Sequence, residues 1–141
     1  MVKFLVKEPV YNSSVQFIIC KYFEDCKKAL KNWETDGVGL DDSDGKSWSV
    51  RTPKGKIYRY VWVSEFGTGI LSHEVFHACF LIFQNKGMET VSVENEEALA
   101  YLIGYYMKTA VAKAYDLGAD KVPVLSREGK GRKDAFKSKK Q

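Results

Sequence analysis

Histidine, cysteine and proline are scarce in this chain, at two, three and three of 141 residues. Three cysteines (Cys20, Cys26, Cys79) are too few and too odd in number for a disulfide framework. Each sits among apolar neighbours, where a thiol behaves as a small hydrophobe. With no secretory signal at the N-terminus, the expected setting is reducing and cytoplasmic. The opening MVKFLVKEPV is broken by Lys3, Lys7 and Glu8, too soon for the apolar core of a signal peptide. The longest apolar run, around residues 75–83, falls far short of the about 20 residues needed to span a bilayer. A content of 45% hydrophobic and 28% charged residues excludes a fully disordered or collagen-like chain. One domain of ordinary size is expected.

The net charge is +4, and it is unevenly placed. Residues 121–141 carry eight basic side chains (Lys121, Arg127, Lys130, Arg132, Lys133, Lys137, Lys139, Lys140) against Glu128 and Asp134, a balance of +6. The preceding 120 residues therefore carry 4 − 6 = −2. The expected organisation is a folded domain over 1–120 and a basic, flexible tail over 121–141.

Periodicity predicts an α+β domain: a small, mostly antiparallel sheet packed on one amphipathic helix and two long helices. Phe4–Val10 and Val15–Cys20 read as strands about the turn chemistry of Tyr11–Ser14. Phe23, Cys26, Ala29, Leu30 and Trp33 recur at helical spacing, with Lys27, Lys28 and Lys31 on the other face. Residues 36–46 (DGVGLDDSDGK) read as a solvated loop. Leu40 and Arg51 occupy the places where a calcium loop needs its first and twelfth ligands. Trp48–Arg51 and Ile57–Val63 flank Thr52-Pro53-Lys54-Gly55-Lys56 as a hairpin. Ile70–Phe83, apolar nearly all round, predicts a buried helix that stops at Asn85-Lys86-Gly87. A second long helix runs from about Ser92 or Asn95 to about Tyr115, with Glu94, Glu96 and Glu97 at its dipole-positive start.

The two histidines fall four residues apart on the first long helix, as His73-Glu74-Val75-Phe76-His77. This is His-Glu-x-x-His, in which helical spacing stacks both imidazoles on one face, able to hold one ion. Glu74 lies about 100° round from His73, beside the pair rather than between its members. There a carboxylate can take a proton from water on the ion. The expected ion is Zn2+, which in catalytic sites keeps three protein ligands and one open position. With no third histidine, a carboxylate or thiolate must complete the set. Cys79 is two residues past His77 and points away, so the acidic start of the next helix is the expected source: Glu94, Glu96 or Glu97.

Over residues 57–108 the chain resembles the glutamate zincins (gluzincins), metallopeptidases with His-Glu-x-x-His on one helix and a ligand glutamate on a following one. It is also similar to small zincin-like proteins of phages and bacteria. Glu96 and Glu97 lie 19 and 20 residues after His77, both at the interval that superfamily uses. The resemblance favours Glu97, because Glu97-Ala98-Leu99-Ala100-Tyr101 looks like the Glu-x-x-Ala pattern of related families. It further implies a peptide or protein substrate, paired in extended form along an edge strand for which Ile57–Val63 is the candidate. Larger relatives add a helical domain that walls the cleft and donates to the oxyanion. This chain has only its basic tail there, leaving Tyr101, Tyr105 or Tyr106 as donors.

Two functions follow as expectations. One is a minimal zinc metallopeptidase, with metal on His73, His77 and Glu97 and Glu74 as general base. The other is a non-catalytic zincin-like protein whose basic tail engages nucleic acid or another anionic partner.

Overall fold

The computed structural model describes residues 1–88 and 90–121. The basic segment expected to form a tail lies, apart from Lys121, outside the described residues. The element order is β1 (Val2–Glu8), β2 (Ser13–Ile19), α1 (Phe23–Ala29), β3 (Gly45–Arg51), β4 (Ile57–Val63), α2 (Thr68–Asn85) and α3 (Glu96–Asp116). The class is α+β, as the periodicity predicts.

The four strands form one sheet in the order β1-β2-β4-β3. β1 pairs antiparallel with β2 and β3 antiparallel with β4, but β2 and β4 run parallel, from Gln16↔Tyr60 to Ile19↔Val63. The sheet is therefore mixed. The parallel pair arises because the chain leaves β2, crosses one face as α1, and returns through the outer strand β3 before entering β4.

Alternation sorts the strands onto two cores. Phe17, Ile19, Val61 and Val63 face one way, with Val2, Phe4 and Val6, onto α2 and α3. Ile18, Trp48, Tyr60 and Trp62 face the other way, onto Phe23, Cys26 and Leu30. The result is three layers, with α1 on one side and the α2–α3 pair on the other.

The amphipathic helix is shorter than its sequence period suggests. It stops at Ala29, and Leu30 is extended (φ −111°, ψ 160°). Glu34 explains the early stop. Its carboxylate accepts the Lys31 N–H (2.8 Å) and the Tyr60 hydroxyl (2.7 Å), and its carbonyl accepts Trp48 Nε1–H (2.8 Å). Those bonds tie the chain to the sheet one turn after the helix ends. Trp33 consequently lies on the surface, edge-on to Tyr58 at 5.4 Å.

The direction of the long helices decides what can meet. Near its start, α2 packs Glu74 against Gly45, the first residue of β3; at its last residue, Asn85 Oδ1 accepts from Arg59 Nη2 (3.0 Å), near the start of β4. Thus α2 runs antiparallel to β4. In α3, Tyr105 donates to the Lys7 carbonyl (2.9 Å) and Lys113 to the Leu5 carbonyl (3.0 Å), so this helix runs antiparallel to β1. Because β1 is itself antiparallel to β4, α2 and α3 are antiparallel to each other. The start of α3 stands beside the end of α2.

Candidate metal centre

α2 is less buried than its composition suggests. Leu71, Val75, Ala78, Cys79, Ile82 and Phe83 face the core, while His73, Phe76 and His77 are exposed on the outer face. Small residues at the contact, Gly45 among them, let the helix approach the sheet closely. The exposed face therefore carries the two imidazoles side by side and open to solvent.

Their Nε2 atoms lie 3.2 Å apart. Two nitrogens bound to one tetrahedral zinc at 2.0–2.1 Å would stand about 3.3 Å apart. The pair thus has the separation that a shared ion requires. Glu74 Oε1 lies 4.0 Å from His73 Nε2. Among the described residues, His73, Glu74 and His77 form the group whose donor atoms all fall within 4.8 Å of one another.

Unlike the histidines, Glu74 is buried, at 6% exposure. Turned about 100° from His73, it enters the seam between α2 and the first residue of β3. Its Oε2 is buried with no hydrogen-bond partner. Burial pushes its pKa above the ordinary carboxylate value, against the opposing pull of His73, His77 and Lys46. A carboxylate left this way is short of a proton donor or a cation, since a buried acceptor without a partner costs roughly 1–3 kcal/mol. An ion on the adjacent histidines, with water on its open position, meets that need. The donor set present could hold a metal ion.

Glu97, the third ligand implied by the zincin resemblance, is not brought to this group. It is exposed in the first turn of α3, beside the end of α2. His77 is eight residues back from Asn85, about 12 Å along the helix axis at 1.5 Å per residue. Glu94 and Glu96 stand at the same end of α3, exposed likewise, and Cys79 is buried in the core with its thiol pushed up to about 12 by desolvation.

The three candidate oxyanion tyrosines are engaged elsewhere. Tyr101 donates to Glu8 Oε1 (3.1 Å), Tyr105 to the Lys7 carbonyl, and Tyr106 meets Ser13 Oγ (2.8 Å). All three hydroxyls serve the β1–β2 turn. Their anchor is Glu8, at 1% exposure, which also accepts from the Val10 and Tyr11 amides and from Ser13 Oγ.

The strand expected to lie along the cleft, Ile57–Val63, is interior. Tyr60–Val63 pair with β2 on one edge and with β3 on the other. The free edge nearest the histidines belongs to β3. Sequence reasoning missed this segment because DDSDGK reads as a solvated turn. In the structure its end, Ser43 to Gly45, lines a cavity of about 240 Å³ together with Gly69, Ile70, His73 and Glu74.

No family model, curated protein or solved structure matches this chain.

Proposed function

We propose that the chain is a zinc-dependent hydrolase of peptide or amide bonds, with His73 and His77 holding the metal and Glu74 moving the proton. The observation that carries this reading is the 3.2 Å Nε2–Nε2 pair beside a buried carboxylate whose Oε2 has no partner. Zinc at such a site lowers the pKa of a coordinated water from about 15.7 towards about 7. Glu74, whose Oε1 lies 4.0 Å from His73 Nε2, would take the proton at its carboxylate and return it to the departing amine. No described helix is long and apolar enough to cross a membrane.

An extended substrate fits the open edge of β3. Ser64 N–H donates to the Asp44 carbonyl (2.8 Å) and Thr52 N–H to the Lys56 carbonyl (2.8 Å). Alternation along an antiparallel ladder then commits Lys46, Trp48 and Val50 to β4 and leaves the backbone groups of Gly45, Ser47 and Ser49 facing outward. This edge starts at Gly45, against Glu74. The opposite edge of the sheet is closed to a peptide, because Tyr105 and Lys113 occupy the outward carbonyls of β1. A cleavage screen on a diverse peptide library tests the reading, comparing wild type, wild type with chelator and Glu74→Gln. Cleavage that survives both treatments would remove it.

A further inference from the structure

A catalytic zinc site takes three protein ligands, and the described cluster supplies two imidazoles and the carboxylate reserved for proton transfer. The helix directions put Glu97 at the far end of α2. The missing donor must come from what surrounds His73 instead. We propose that Asp44, on the loop entering β3, is the third protein ligand; this rests on the zinc reading above.

Asp44 lines the cavity of about 240 Å³ that His73 and Glu74 also line. It stands outside the 4.8 Å group, so its carboxylate closes onto the ion when the ion binds. Its place beside α2 is set by the backbone, through the Asp44 carbonyl that accepts from Ser64. The loop before it is braced as well. Asp41 pairs with Lys46 Nζ at 2.7 Å and accepts the Ser43 N–H at 2.9 Å. That bracing holds the loop in shape at the mouth of the cavity.

A second observation points to a cation at the same place. Glu74 is 94% buried (6% exposed), lines this cavity, and has an Oε2 without a partner. Two carboxylates and an imidazole around one small cavity, with a second imidazole 3.2 Å from the first, are hard oxygen and nitrogen donors suited to zinc. The arrangement also accounts for the DDSDG loop: its last aspartate faces the helix, while the first holds the loop in shape.

Zinc affinity, measured by competition with a chromophoric chelator, tests the assignment without reference to activity. Wild type, Asp44→Asn, Asp44→His and Glu97→Gln are compared, with folding checked by circular dichroism. Loss of a ligand should weaken zinc at least tenfold in Asp44→Asn, while Glu97→Gln stays within twofold of wild type. Asp44→His restores a donor and should recover much of the loss, which a folding defect would not. Wild-type affinity in Asp44→Asn overturns the assignment and leaves the zinc reading standing. A wild type that binds no zinc overturns both.

Discussion

A β-carbon on Gly45 would lie 2.7 Å from Cγ of Glu74 and 3.2 Å from its Cδ. The edge strand is thus bare of side chain at the point where α2 presents its buried carboxylate. Gly45 has no positive φ to require glycine; the requirement is space alone. Gly45→Ala should keep the fold and the zinc content at a modest cost in stability: the most crowded atoms belong to the Glu74 side chain, while the Trp62 carbonyl, 3.2 Å from the new carbon, must give by a few tenths of an ångström. The displaced carboxylate should lower kcat by about 10-fold or more with KM little changed, given that a general base contributes about 10²–10⁴. Equal kcat in Gly45→Ala and wild type would show that the close approach has no catalytic consequence.

The proposed reading assigns metal binding and proton transfer to different side chains, and substitution should separate them. Glu74→Gln keeps both imidazoles and should keep about one zinc per chain by elemental analysis, while hydrolysis drops by about 10²–10⁴. His73→Ala removes half of the 3.2 Å pair and should lose most of the metal. Because His73 is exposed, with its side chain at 69%, that loss should come without appreciable unfolding. A Glu74→Gln protein that arrives empty of zinc would make Glu74 a ligand instead of a base.

Much of this arrangement is legible in the amino-acid order. The β-branched and aromatic run Ile57–Val63 and the long apolar run Ile70–Phe83 place a strand and a helix correctly, because such runs mark buried segments and their lengths separate strand from helix. The His73–His77 pair is legible too, since helical spacing alone brings i and i+4 together. Which residues join them is not. The position of Glu97 depends on the direction and stagger of α3 against α2, set by Tyr101, Tyr105 and Lys113 binding β1. Those are contacts across more than 90 residues, invisible to local pattern. The parallel pairing of β2 with β4 was hidden for the same reason, and with it the interior place of Ile57–Val63. Asp44 and Gly45 were hidden by the opposite effect: local composition says loop, and only the tertiary fold lays that loop beside His73.

Tyrosines on α3 offer a discriminating control. The Tyr101 hydroxyl is spent on Glu8 Oε1 at 3.1 Å, at the β1–β2 turn, so it has no part in stabilising an oxyanion. Tyr101→Phe should leave kcat and KM within about twofold of wild type. It should lower the urea midpoint modestly, since it removes one hydrogen bond to a charged acceptor. A large drop in kcat with unchanged stability would reverse that assignment.

The Glu8 carboxylate links pH to stability. Burial by itself would raise its pKa, but hydrogen bonds from Ser13, the Tyr11 amide, Tyr101 and the Val10 amide outweigh that and hold it below the ordinary value of 4.5. A depressed folded-state pKa means that the folded state favours the charged form. The stabilisation is fully present above the unfolded-state pKa and is lost as pH falls through the lower, folded-state one. Glu8→Gln keeps one acceptor but turns an N–H group on donors that Glu8 now accepts from. It should destabilise the protein by about 2–3 kcal/mol near neutrality. Urea midpoints of wild type and Glu8→Gln should therefore converge as pH is lowered from about 6 to about 3, because protonation takes from wild type what the substitution has already removed. A gap that is the same at both ends of that range would mean that the shape of the turn, and not the charge on Glu8, holds α3 to the sheet.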